Sequence, residues 1–224
     1  MFLSRIQLNA NLRDTMRALS SPKIIHNTIV TSFLHSLDVD NERILWRVDY
    51  LGEKCFLLVL SAQQPDFKHI AERFGYPRNE PQWETKNYDL LLNRINTGQV
   101  WRFRLRANPV RSSSKEKDPI SGRGKVFAHV TTEQQKQWLL SRAKNCGFLL
   151  NENEFDVVYT EWKKFNKGID RSHEVSLRVS DFEGKLTIAD VEIFKKVLLS
   201  GLGRAKAYGC GMMTIAGCES VCHE

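Results

Sequence analysis

No apolar run in this chain approaches a membrane span: the longest, Cys55 to Leu60, stops after six residues, where about 20 are needed. The start, Met1-Phe-Leu-Ser-Arg-Ile-Gln-Leu8, alternates like a strand and lacks the cleavage pattern of a secretory signal. Cysteine is scarce and odd in number, five in 224 residues, and Cys55 and Cys210 lie in apolar or glycine-rich contexts without paired spacing. A disulfide framework is therefore excluded, and reduced thiols in a cytoplasmic protein are expected. Cys218-Glu-Ser-Val-Cys222-His223 has no second ligand pair, so a frayed tail is expected there and no metal or other cofactor. Paired carboxylates and nucleotide-binding loops are lacking as well, which disfavours a small-molecule enzyme.

What the chain does have is Gly201-Leu-Gly-Arg-Ala-Lys-Ala-Tyr-Gly-Cys-Gly211, with four glycines and two cations between a helical and a strand-like segment. Gly201, Gly203, Gly209 and Gly211 permit positive φ and close backbone approach, while Arg204 and Lys206 add charge. Two readings stand: a cradle of amide N–H groups for a polyanion, or a turn that merely packs tightly. The loop follows a helix and precedes a strand, the wrong context for a P-loop or a dinucleotide fingerprint.

Charge is unevenly spread. Residues 1–99 carry 12 Lys and Arg against 11 Asp and Glu, a net of +1, whereas residues 100–224 carry 21 against 15, a net of +6. Clustered positive charge supplies the sequence-independent part of nucleic-acid affinity through counterion release.

Two similar units are predicted, residues 1–95 and 99–224, separated at Asn96-Thr-Gly98. In the first, the patterning gives a strand at 2–9, a helix at 22–36 with Ser21 as N-cap and Pro22 at its first position, and strands at 43–52 and 54–62. A helix at 66–74, closed by Gly75, and a strand within 83–92 complete it. The second begins with Trp101-Arg-Phe-Arg-Leu-Arg106, which alternates apolar and cationic residues as a strand with one buried face. Residues 111–125 have almost no apolar content, and a mobile loop is expected. A helix at 132–145 capped by Thr131 or Thr132, strands at 155–165 and 171–182 around Asn166-Lys-Gly168, a short strand at 184–188, a helix at 189–200 and a closing strand follow. The fold class is α+β: tandem ferredoxin-like, or RRM-like, βαββαβ domains.

Phe103-Arg-Leu-Arg-Ala-Asn-Pro109, the Gly201 to Gly211 loop, Phe182-Glu-Gly184 and the Ser-Pro-x-x-x-His element ending at His26 together resemble CasE, the CRISPR RNA-processing endoribonuclease family of the type I-E Cascade complex. The resemblance spans essentially the whole chain. It implies metal-independent cleavage of precursor CRISPR RNA at the base of the repeat hairpin, with the nuclease retained on that hairpin beside other Cascade subunits and monomeric when free. The alternative is a non-catalytic RNA-hairpin-binding subunit of tandem RRM-like domains.

RNA brings its own nucleophile, the 2′-hydroxyl, so the enzyme has to orient it, move protons and stabilise the phosphorane. His26 matches the family's catalytic histidine, and histidine suits proton transfer near neutral pH. Lys23 lies three residues earlier on the same helical face, where relatives commonly place tyrosine. It is expected either to assist electrostatically or to be a solvated side chain. RNA contacts are expected from Arg102, Arg104 and Arg106 on one strand face and from Lys163, Lys164, Lys167 and Arg171 on a basic hairpin, with Arg204 and Lys206 from the glycine loop.

Overall fold

The computed structural model describes residues 1–33, 43–76, 83–117, 122, 124–166 and 174–218. In the first unit β1 (Phe2–Leu8) is followed by α1 (Arg13–Ser20) and α2 (Pro22–Val30), then β2 (Leu45–Leu51), β3 (Lys54–Ser61), α3 (Lys68–Phe74), β4 (Trp83–Asn87) and the short α4 (Asp89–Leu92). The sheet runs β2-β3-β1-β4, the order of a ferredoxin-like βαββαβ unit, with β1 antiparallel to both β3 and β4. Ile6, Leu57, Val59, Ile25, Ile29, Phe67 and Ile70 lie in the core between this sheet and its helices.

The second unit repeats that plan with additions. β5 (Val100–Ala107) leads into a hairpin of β6 (Val110–Lys117) and β7 (Gly124–Ala128), then α5 (Thr132–Ala143), β8 (Phe148–Leu149), β9 (Phe155–Asn166), β10 (Glu174–Ile188), α6 (Val191–Ser200) and β11 (Met213–Gly217). Its sheet runs β11-β5-β10-β8, with β9 also paired to β10. The order of the first unit recurs, and the chain has tandem ferredoxin-like domains. Among the described residues, no helix is long and apolar enough to cross a membrane.

Several boundaries differ from expectation for local reasons. Residues 13–20 form a helix that the patterning missed; its N-cap is Leu12, with no side-chain cap to announce it. Ser21 sits at the N-cap of α2 but makes no side-chain cap, and Pro22 supplies the start by its fixed φ. α2 ends at Val30 with a 3-10 turn over Thr31–Phe33, short of the expected 36; residues 34–36 lie outside those described. The polar stretch expected as a mobile loop is largely the β6–β7 hairpin, paired from Val110↔Ala128 to Lys117↔Gly124. The expected strands at 171–182 and 184–188 are one strand, β10, which carries Gly184 through without a break. Thr131 is the cap of α5, in a full capping box with Gln134. Of the Asn166-Lys-Gly168 turn, only Asn166 is among the described residues.

The two units share buried material. Leu45 and Leu60 of the first sheet belong to the apolar cluster of the second unit, with Leu105, Leu198 and Met212. Arg47, 1% exposed, crosses the same boundary: it pairs with Asp49 at 2.7 and 2.8 Å and donates to the carbonyls of Arg104 and Met212 at 2.8 and 3.1 Å and to Thr214 Oγ1 at 2.8 Å. A charge this deep is tolerable because its partners satisfy it.

Candidate active site and nucleic-acid interface

α2 sets the histidine. Pro22, Ile25 and Ile29 form its buried stripe, and at about 3.6 residues per turn His26 falls on the stripe's margin beside Ile25. The imidazole is half-buried; its Nδ1 is sealed from solvent and has no hydrogen-bond partner. Burial lowers its pKa from the ordinary 6.5, because desolvation disfavours the charged ring. The neutral, proton-accepting form is thereby favoured.

A cavity of about 410 Å³ opens on His26, and its other walls are Arg43, Ile44 and residues 203–207 of the glycine loop. The structure thus brings His26 together with Arg204 and Lys206 across the boundary between units, and adds Arg43, which sequence reasoning missed. Only its proximity in the fold marks Arg43; nothing in the local pattern singles it out. Lys206 Nζ donates to the Ser200 carbonyl at the end of α6, 2.7 Å away. Burial, and then the neighbouring Arg43, lower its pKa. Arg204 is exposed and donates to Ser112 Oγ at 3.1 Å. Lys23, half-buried, is one turn before His26 on α2 and does not line this cavity.

Part of the glycine loop packs tightly, one of the two readings open for it. Gly201, Gly209 and Gly211 are buried, and only Gly203 is exposed. At Gly209, φ +78°, a Cβ would lie 2.6 Å from the Trp46 ring, and at Gly201, φ +76°, 2.8 Å from Leu45 Cδ2. These two glycines let the loop press on β2 of the first unit. Its more accessible part, Gly203 to Ala207, is the part that faces the cavity.

The β5 arginines differ among themselves. Arg102 is exposed. Arg104 lies 3.1 Å from Glu183 and 3.7 Å from Asp49. Arg106 is buried and forks onto Asp181 through Nε and one terminal nitrogen at 2.6 and 2.8 Å. The cause is register: β10 places Asp181 opposite Arg106 and Glu183 opposite Arg104.

On the basic ribbon, Lys164 is exposed, as is Trp162. Lys163 points the other way, donating to the Leu19 carbonyl at 3.2 Å with Glu161 at 3.6 Å. Phe165 packs on Tyr208 of the glycine loop, ring centroids 4.8 Å apart. Lys167 and Arg171 lie outside the described residues. No group of three or more His, Cys, Asp or Glu side chains that would hold a metal occurs among the described residues. Burial pushes the Cys210 thiol up to about 12, so it is an inert packing group.

Fold and site together define a tandem ferredoxin-like protein in which one histidine and several cations share a cavity between the two halves. The chain belongs to the CRISPR associated protein family, whose profile matches residues 1–217. It is 29% identical to the CRISPR-associated endoribonuclease Cse3 of Thermus thermophilus over 225 residues, covering 96% of this chain and 100% of that protein. It is 25% identical to the CRISPR system Cascade subunit CasE of Escherichia coli over 168 residues, 73% of this chain and 75% of that one. A solved structure of the CRISPR endoribonuclease Cse3 bound to a 19 nt RNA superposes with a TM-score of 0.76 at 26% identity, over 96% of this chain and 98% of the other. The resemblance to CasE is borne out.

Proposed function

We propose that this protein is an endoribonuclease that cuts precursor CRISPR RNA at the base of its repeat hairpin without a metal ion, and then stays on the hairpin as a Cascade subunit. The observation that carries this reading is the shared cavity of His26, Arg43, Arg204 and Lys206. In the reaction the 2′-oxygen attacks the adjacent phosphorus and the P–O5′ bond breaks. A cyclic phosphate is left upstream and a 5′-hydroxyl downstream. His26 takes the 2′-hydroxyl proton, and the leaving 5′-oxygen takes a proton from water. The cations stabilise the charge that develops on the phosphorane. The relatives' names support the reading: one is an endoribonuclease and another a Cascade subunit.

The test is incubation of the pure protein with its own repeat hairpin in excess chelator. Full cleavage, yielding a 5′-hydroxyl product, is expected. Strict dependence on added magnesium or manganese would defeat the mechanism, and binding without cutting would favour a non-catalytic RNA-binding subunit.

A further inference from the structure

A second cavity, about 610 Å³, lies on the other side of the glycine loop, between the β6–β7 hairpin and α5. Gly203 and Arg204 wall both this cavity and the one that holds His26, so the two adjoin across the exposed part of the loop. Three guanidinium groups line it, from Arg111, Arg142 and Arg204. Two polar groups in its wall are almost fully buried and lack partners: the amide oxygen of Asn108, 5% exposed, and the indole Nε1 of Trp138, 3% exposed. Unpaired buried groups of this kind are destabilising in the free protein unless something completes them. One is an acceptor and the other a donor, the pairing that the edge of a nucleobase offers in complement. The volume falls in the range of small-ligand sites. His129 and Glu133 line the same cavity, and the His129 pKa is lowered by burial and then by Arg111 and Arg142.

We propose that this cavity is a subsite for one unpaired ribonucleotide flanking the scissile phosphate, its base edge turned to Asn108 and Trp138 and its phosphate to Arg111, Arg142 and Arg204. The inference rests on the endoribonuclease reading and adds a place where the chain beside the cut is held. A strand leaving the His26 cavity over Gly203 enters it directly. Single-stranded RNA suits such a site because an unstacked base exposes its edge to buried groups.

The experiment compares two forms of the protein's own repeat hairpin, both carrying a 2′-deoxy nucleotide at the scissile position to block cleavage. One ends at the scissile phosphate; the other continues for three unpaired nucleotides. The extension should tighten binding to the wild-type protein about tenfold, the worth of roughly one completed hydrogen-bond pair and a phosphate contact. Asn108→Ala should erase most of that gain while leaving the bare hairpin's affinity in place. Arg111→Ala, an exposed position that does not endanger folding, should reduce the gain severalfold. Equal affinity of the wild type for both RNAs would overturn the subsite, as would an equal loss on both RNAs in Arg111→Ala. If the wild-type protein binds neither hairpin better than an unrelated duplex, it is the endoribonuclease reading that fails first.

Discussion

Lys163 Nζ donates to the main-chain carbonyl of Leu19, 3.2 Å away, and so ties the basic ribbon of the second unit to the helix that precedes His26. Lys164, the next residue, faces outward and is exposed. Adjacent lysines on one strand therefore have different work. Lys164→Ala should weaken RNA binding and lower the salt dependence by about one unit of slope, the value of one phosphate contact. Lys163→Ala should leave the slope unchanged and lower the unfolding midpoint instead. Titrations at several salt concentrations, paired with thermal melts, check both; equal slope losses in the two variants would mean that Lys163 leaves Leu19 when RNA binds.

His26→Ala should slow single-turnover cleavage by about a hundredfold or more with little change in hairpin affinity, since one imidazole matters to proton transfer far more than to a binding surface spread over many cations. The pH profile gives an independent check. Burial holds the ring's pKa below 6.5, so His26 is neutral at pH 7. As a proton acceptor it loses function only when protonated, so kcat/KM should be flat around neutrality and fall on the acid side, with a midpoint below 6.5 in the free enzyme. A rate that rises as pH falls through that range would assign the ring the opposite role.

Lys23 shares the helical face of His26 but stays outside the cavity wall. If it assists the developing charge, Lys23→Ala should cost about a hundredfold in rate at saturating enzyme, as loss of one preorganised donor does. Lys23→Tyr should recover the rate if the lysine does what tyrosine does in relatives. No slowing in either variant would mean that Lys23 takes no part in the chemistry.

Arg47 and Asp49 form a buried pair at the boundary between units. Removing one partner strands the other charge, so Asp49→Ala should destabilise the protein by about 3–5 kcal/mol. Arg47→Met strands Asp49 in turn, with Arg104 left 3.7 Å away, and also loses the bonds to the Arg104 and Met212 carbonyls and to Thr214. Denaturant unfolding measures both, and a cost under about 1 kcal/mol for Asp49→Ala, no more than an exposed ion pair is worth, would show that the network is dispensable.

Much of this molecule was legible in its sequence. The alternation of residues 101–106 and the glycine loop marked β5 and the turn before β11, and the Pro22 start marked the helix that carries His26. The β6–β7 hairpin was not legible, because Ser112 to Lys117 has no apolar face to set a strand period. Nor was α1, which lacks a capping side chain. At the site, His26 and the loop cations were visible as residue types, but Arg43 and the pairing of Arg106 with Asp181 depend on contacts between distant segments. An arginine on an alternating strand looks the same in one dimension whether it faces a ligand or a carboxylate from another strand.

Arg47 reaches Met212 and Thr214, 165 and 167 residues further along the chain. The glycine loop that walls the histidine's cavity and packs on Leu45 and Trp46 belongs to the same late segment. During synthesis, then, the first unit emerges with its histidine on the helix but with one wall of the cavity still untranslated. The cavity is complete only once residues 201–211 have been made and have packed over β2.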